Sequence, residues 1–103
     1  MMITPRRSVM YMVVSTWRIA PGMKDEAQRR SSPVREVLRS QPGVMLVEAI
    51  YEDDEAVAVH IYKSEQDYDR IVNDPNGPFV QALEKHSLEE VMTWEGSRRG
   101  PTV

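Results

Sequence analysis

Apolar and polar residues follow one another along this chain in patterns that predict four strands and three helical segments. Runs rich in β-branched and aromatic residues predict strands at residues 9–19, 44–52, 56–63 and 88–95. Apolar residues spaced three and four apart predict helical segments over residues 23–41, from Ser64 onward, and over residues 78–87. The predicted order of elements is therefore β-α-β-β-α-β, with the second helical region interrupted around residues 73–78.

Capping and breaking residues mark where the helices begin and where they are disturbed. Ser64 and Asp67 match the pattern in which a serine caps a helix and an acidic residue follows three positions later. Pro33 lies inside the first helix, where it lacks an N–H and crowds the preceding turn. We therefore expect a kink at Pro33, or a restart of the helix with Ser32 as its N-cap.

The order of elements predicts an α+β fold of the ferredoxin-like class. In this fold one four-stranded antiparallel sheet carries the helices on one face. The domain is expected to span residues 9–95. Residues 1–8 and 96–103 are polar, contain Pro or Gly, and show no periodicity, so we interpret them as N- and C-terminal tails.

The strands carry apolar side chains on both faces of the predicted sheet. In the third strand, Val57 and Val59 point one way, whereas Ala58, His60 and Tyr62 point the other. The helices cover only one face, and a large exposed apolar patch typically marks an interface. We therefore expect a homodimer that forms through the sheet face. The alternative is a monomer whose tails cover that face.

Composition and charge exclude several classes of protein. The 103 residues include no cysteine, which excludes disulfide frameworks, thiolate metal sites and cysteine nucleophiles. Two histidines are too few for a three-histidine zinc site, and we expect no metal. The net charge of −3 argues against a nucleic-acid partner. No apolar run approaches the ~18 residues that span a bilayer, so we expect no membrane partner and a cytoplasmic location.

Several short segments resemble a known family. They are W-R-I-A-P-G at residues 17–22, S-Q-P-G-V at 40–44, the acidic turn at 53–55, V-H-I-Y-K-S-E-Q-D-Y at 59–68 and P-F-V-Q-A-L at 78–83. Together they resemble the antibiotic biosynthesis monooxygenase (ABM) domain of the dimeric α/β-barrel superfamily. The resemblance implies two sheets that form a shared barrel, with a pocket between sheet and helices in each subunit. For some members it implies oxygenation of anthrones or quinols by molecular oxygen without a cofactor.

The heme-degrading branch of that family is matched less well. It uses an Asn on the first strand, a Trp at the end of the third strand and a His on the second helix. The corresponding positions hold Ser15, Tyr62 and Leu83, so the resemblance does not extend to this mechanism, and we expect no cofactor. His86 lies one turn beyond Leu83 and stays open as a ligand.

His60 and Tyr62 are the candidate catalytic residues. His60 interrupts an apolar strand, and imidazole titrates near neutral pH, which suits a general base or a hydrogen-bond partner of a substrate. A buried structural histidine is the alternative. Tyr62 can donate a hydrogen bond to a bound carbonyl or phenolate. The resemblance places this face of the strand toward the pocket. Candidate contacts to a small aromatic or apolar ligand are Tyr11, Ser15, Trp17, Tyr68, Phe79, Leu83, His86 and Trp94.

These features favour a cofactor-independent monooxygenase that acts on a small aromatic, quinol- or anthrone-like substrate. Two alternatives stay open. One is a non-catalytic homodimer that binds a small ligand or is associated with stress. The other is an isomerase or decarboxylase that uses His60 as its base.

Overall fold

Residues 9–103, which the computed structural model describes, form strands and helices in the predicted order. The strands are β1 (Tyr11–Ile19), β2 (Val44–Tyr51), β3 (Glu55–Tyr62) and β4 (Met92–Pro101). The α-helices are α1 (Lys24–Arg39), α2 (Glu65–Tyr68) and α3 (Pro78–Lys85). A π-helical turn, Asp69–Asn73, continues α2, and a 3₁₀ turn, Leu88–Glu90, precedes β4. Among these residues no helix is long and apolar enough to cross a membrane.

The four strands form one antiparallel sheet in the order β2-β3-β1-β4. This order, together with helices on a single face, is the ferredoxin-like arrangement, and the predicted fold class is confirmed. The central pair, β1 and β3, is in register from Tyr11 opposite Tyr62 to Arg18 opposite Glu55. That pairing brings His60 to the middle of the sheet, between Val13 on β1 and Val47 on β2.

Helix α1 runs through Pro33 as one helix, so the predicted restart with Ser32 as N-cap is wrong. Ala27, Val34 and Leu38 are buried along one face of α1, before and after the proline. Packing of an amphipathic face supplies most of the stability of a helix in a protein, and here it outweighs the hydrogen bond that the proline removes. Ser64, in contrast, caps α2 as predicted, since its Oγ accepts a hydrogen bond from the backbone N–H of Asp67 at 3.2 Å.

The last strand begins and ends later than the sequence predicts. The start of the predicted strand 88–95 is a 3₁₀ turn, whose three-residue spacing buries both Leu88 and Val91. The predicted tail 96–103 is wrong for residues 96–101, which pair with β1 as the second half of β4. Thr102, which follows β4, donates its N–H to the carbonyl of Met10, the residue before β1, at 2.8 Å. The predicted tail at residues 1–8 lies outside the described residues.

The sheet has one covered and one open face. The covered face packs against the helices in two apolar clusters. On the open face, Met12, Leu46 and Ile50 are exposed, and Val14, Val57, Val59 and Ile61 are half-exposed. The predicted apolar character of both faces is therefore present in the single chain.

A candidate ligand cavity between sheet and helices

A small cavity lies between the two apolar clusters on the covered face of the sheet. Leu38 of the first cluster lines it from α1, and Ala56, Leu88 and Met92 of the second cluster line it from the other side. Its volume is about 50 Å³. Typical ligand pockets measure ~300–1,000 Å³. The cavity is therefore several-fold smaller than a typical ligand pocket, and an aromatic ring enters it only if side chains of the wall move.

The structure brings five of the predicted site residues together around this cavity. The five are Ser15, Trp17, His60, Phe79 and Leu83. Strands β1 and β3 place the first three, because alternate residues of a strand point to the same face. Helix α3 supplies Phe79 and Leu83, which lie four residues apart and so share one helix face. Apolar side chains form most of the wall.

His60 is a buried polar side chain in the wall, with 7% of its surface exposed. Its ring meets Phe79 edge to face, with the ring centroids 6.2 Å apart. Burial lowers the pKa of His60 from its ordinary 6.5 to about 4, since an apolar site disfavours the imidazolium ion. The ring is therefore neutral near pH 7.

Tyr62 lies behind His60 and does not line the cavity. It is fully buried, and its hydroxyl lies 2.8 Å from His60 Nδ1. Burial raises the pKa of Tyr62 above its ordinary value, so the hydroxyl keeps its proton. A buried O–H needs an acceptor, and Nδ1 is its one hydrogen-bond partner among residues 9–103. The hydroxyl therefore donates to Nδ1.

This hydrogen bond fixes the tautomer of His60. Because Nδ1 accepts, the ring proton of the neutral imidazole resides on Nε2. Nε2 makes no hydrogen bond to any residue in the described part of the chain. His60 thus presents an N–H donor to an occupant of the cavity, and Tyr62 acts as a positioning residue that orients the ring.

A cluster of three polar side chains on the cavity wall was not predicted from the sequence. Helix α1 contributes Ser31 and Arg35, and β2 contributes Tyr51. Arg35 Nη1 donates to Ser31 Oγ and to Tyr51 Oη, each at 3.0 Å, and Ser31 and Tyr51 are hydrogen-bonded to each other. The spacing of four residues between Ser31 and Arg35, next to buried Val34, is the signal that would have placed both at the edge of the apolar helix face.

Tyr11 and Tyr68 lie in the first apolar cluster and do not line the cavity. Their ring centroids are 5.2 Å apart, and Tyr68 also meets Tyr62 at 5.7 Å. Arg99 from β4 covers the Tyr68 ring at 5.7 Å. These tyrosines support Tyr62 from behind, so the geometry gives them a packing role.

Trp94 and His86 do not line this cavity, although Trp94 lines an open groove of about 460 Å³ that shares Trp17, Leu83 and Met92 with it. Trp94 is exposed on β4, and its indole N–H donates to Ser97 Oγ at 3.0 Å. His86 ends α3 as its C-cap residue and is half-exposed. Their contact with a ligand therefore stays a prediction. No three His, Asp or Glu side chains within residues 9–103 lie close enough together to hold a metal ion.

Comparison with known proteins shows which solved structures share this fold. No family model matches the sequence, and no curated protein matches it. Solved structures match closely in shape. A protein of Chloroflexus aurantiacus assigned as an antibiotic biosynthesis monooxygenase is 15% identical, with a TM-score of 0.71 over 91% of this chain and 93% of its own. SnoaB, a cofactor-independent oxygenase from Streptomyces nogalater, is 16% identical, with a TM-score of 0.70 over 91% of each chain.

A third structure, from Nitrosomonas europaea and also assigned as an antibiotic biosynthesis monooxygenase, is 12% identical. Its TM-score is 0.71 over 96% of this chain and 93% of its own. At such identities the likeness concerns the fold and not the chemistry of individual residues. The sequence resemblance is thereby confirmed at the level of architecture, and the chain has the fold of the antibiotic biosynthesis monooxygenase proteins.

Proposed function

We propose that this protein is a cofactor-independent monooxygenase that oxidises a small phenolic substrate in the cavity between sheet and helices. The observation that carries the proposal is the neutral, oriented His60, whose Nε2–H faces an apolar enclosure while Tyr62 holds Nδ1. Solved oxygenases of the same fold support it. Because the cavity measures only about 50 Å³, a single ring requires less movement of its wall than a three-ring anthrone does, and we propose a single-ring substrate for that reason.

The reaction needs no electron donor besides the substrate. A phenol with a hydrogen on the carbon para to its hydroxyl reacts with one molecule of oxygen to give a quinone and water. One oxygen atom becomes the new carbonyl. The other leaves as water with the hydroxyl hydrogen and the ring hydrogen, and the substrate supplies all four electrons. The protein has to bind the flat ring, stabilise its oxyanion and exclude water.

His60 can stabilise the oxyanion of the substrate as a hydrogen-bond donor. Its Nε2–H can bind the phenolic oxygen and stabilise the negative charge that develops there. A general base works best with a pKa near the working pH, and burial holds the pKa of His60 at about 4. The hydrogen bond that leaves the proton on Nε2, together with this low pKa, favours the donor role over the base that an isomerase or a decarboxylase requires.

The decisive experiment measures oxygen consumption with single-ring phenols, quinols and anthrones in the absence of added cofactor. We expect turnover of single-ring phenols, with one atom of isotope-labelled oxygen in the quinone. His60→Ala should abolish turnover and Tyr62→Phe should reduce it, since the ring then loses its fixed tautomer. Lys85→Ala, on the exposed side of α3, is the matched control. Unchanged turnover in His60→Ala would remove this residue from the mechanism.

A second function, non-catalytic binding of a small aromatic ligand, is favoured by the small volume of the cavity. Ligands that raise the melting temperature without any oxygen consumption would support binding alone.

We further propose that two copies of the chain pair through the open face of the sheet. The support is the run of exposed and half-exposed apolar side chains across β1, β2 and β3, opposite the helices. A second copy offers the same surface and would cover it by a two-fold axis. This pairing leaves the cavity on the far side of each sheet.

A further inference from the structure

Arg35, unlike the other arginines of α1, has no acidic partner among residues 9–103. Among residues 9–103, each of Arg18, Arg29, Arg30, Arg39 and Arg70 lies within salt-bridge distance of a carboxylate. Arg35 makes no such pair, although it is half-buried and lines the cavity. A guanidinium ion that is partly removed from water without a counter-ion is costly.

The guanidinium of Arg35 is nevertheless held in one place. Its Nη1 donates to Ser31 Oγ and Tyr51 Oη, and its Cζ lies 5.6 Å from the centroid of the Tyr51 ring. Ser31 Oγ donates to the Gln28 carbonyl at 3.2 Å, which turns its lone pairs toward Arg35 and Tyr51. Both hydroxyls thus act as acceptors for the guanidinium and fix its orientation without neutralising its charge.

Two nitrogens of this fixed group stay available. Nη2 and Nε of Arg35 have no hydrogen-bond partner in the part of the chain that the structure describes. A guanidinium that keeps Nη2 and Nε free can bind both oxygens of a carboxylate side by side. Arg35 and His60 line the same cavity, and Arg35 is the more exposed of the two.

From this arrangement we infer that Arg35, braced by Ser31 and Tyr51, binds a carboxylate group of the substrate. The substrate would then be a hydroxylated aromatic acid, with its ring in the apolar interior, its phenolic oxygen toward His60 and its carboxylate on Arg35. This inference rests on the proposed use of the cavity for a phenolic substrate. The inference adds a carboxylate to the proposed phenolic substrate, a group that the apolar part of the wall does not bind.

A matched pair of probes tests the inference by binding and needs no turnover. The probes are 3-hydroxybenzoate and its neutral amide, 3-hydroxybenzamide, measured by isothermal titration calorimetry at neutral pH. We expect the native protein to bind the acid about 10- to 100-fold more tightly than the amide, as charge-assisted hydrogen bonds allow. Arg35→Gln should abolish this preference, so that the acid and the amide bind the variant with similar Kd values.

Controls separate the local role of Arg35 from charge in general. Arg29→Gln removes an arginine from the exposed side of the same helix and should retain the full preference for the acid. Tyr51→Phe removes one of the two hydroxyls that orient the guanidinium and should weaken the preference in part; it also replaces Arg35→Gln if that variant fails to fold.

Two results would overturn the inference: equal affinity of the native protein for acid and amide, or an undiminished preference in folded Arg35→Gln. Either can occur while neutral phenols are still oxidised, and the preference can hold while no oxygen is consumed. The failure of this inference is therefore distinguishable from the failure of the proposed oxygenase.

Discussion

At the scale of single residues, burial decides the charge of His60. Its pKa falls from 6.5 to about 4 in the folded protein. Between these values the unfolded chain binds a proton at this residue and the folded chain does not, so acid favours unfolding. The free energy of unfolding should therefore fall by up to about 3 kcal/mol as the pH drops from 6.5 to 4, and this contribution is fully present above pH 6.5.

The variant His60→Gln should lack this part of the pH dependence. Urea denaturation of both proteins between pH 7 and pH 4 measures it, with the difference between their curves as the result. Other acidic groups contribute equally to both curves and cancel. Parallel pH profiles would contradict the assignment of a depressed pKa to His60.

Gly43 is a second residue whose identity the fold requires. Its φ is +93°, and a Cβ there would lie 2.5–2.8 Å from the carboxyl atoms of Asp67. Asp67 cannot move away freely, because Ser64 and Arg70 bind its two oxygens at 2.9 and 2.8 Å. Those bonds also lower the pKa of Asp67.

Gly43→Ala should therefore destabilise the protein more than Gly22→Ala. Gly22 also has a positive φ, +73°, but a Cβ there meets no atom within 4 Å. The left-handed backbone costs an alanine ~1–2 kcal/mol at either position, and the lost contacts of Asp67 should add about 1–2 kcal/mol at Gly43. Chemical denaturation of the two variants gives the difference, and equal losses would contradict the role of Asp67.

The residue scale also shows what the sequence pattern can and cannot predict. Strand alternation placed His60 on the same face as Tyr62, and the family resemblance correctly assigned that face to the side of the helices. The cluster of Arg35, Ser31 and Tyr51 was missed, because arginines on a helix are mostly exposed and give no sign of a buried contact. Its members come from two elements, α1 and β2, and only tertiary packing brings Tyr51 within reach. Tyr11 and Tyr68 were assigned to the ligand because aromatic type alone does not distinguish cavity wall from core.

At the scale of elements, strand β4 departs furthest from its sequence pattern. Residues 96–101 contain Gly, Ser, Arg and Pro, which have low strand propensity, and they pair with β1 because the backbone of that central strand needs partners. Pro101 is tolerated there because β4 is an edge strand. Helix and strand order were predictable from periodicity, whereas this pairing depends on a neighbour about 80 residues away.

Deletion of residues 98–103 tests whether this segment stabilises the fold. It removes the outer half of the β1–β4 ladder, the Thr102 bonds to Met10 and the Arg99 contact with Tyr68. The free energy of unfolding should fall by roughly 2 kcal/mol or more. Arg99→Ala is the control and should cost less than about 1 kcal/mol, since it removes the cation–π contact alone. A truncated protein as stable as the full chain would restore the interpretation of this segment as a tail.

At the scale of the whole molecule, the sheet separates two surfaces with different uses. The covered face and the helices enclose the cavity, and the open face carries exposed apolar side chains. A chain of 103 residues leaves a large share of its surface exposed, so covering the open face adds buried area that the single chain lacks. The proposed pairing and the proposed chemistry therefore lie on opposite sides of the same four strands and can be tested independently.

A charge placed at the centre of the open face should separate the two copies without unfolding either one. Val59 lies on the inner strand β3, opposite Val14 on β1, and is half-exposed in the single chain. Val59→Lys should shift the mass in sedimentation velocity from about twice 11.9 kDa to 11.9 kDa, because a lysine buried without a partner between two apolar faces is costly. Ser32→Lys adds the same charge on the exposed side of α1 and should leave the mass doubled. A native protein that sediments as a monomer at micromolar concentration, or a Val59→Lys protein that keeps the doubled mass, would contradict pairing through this face.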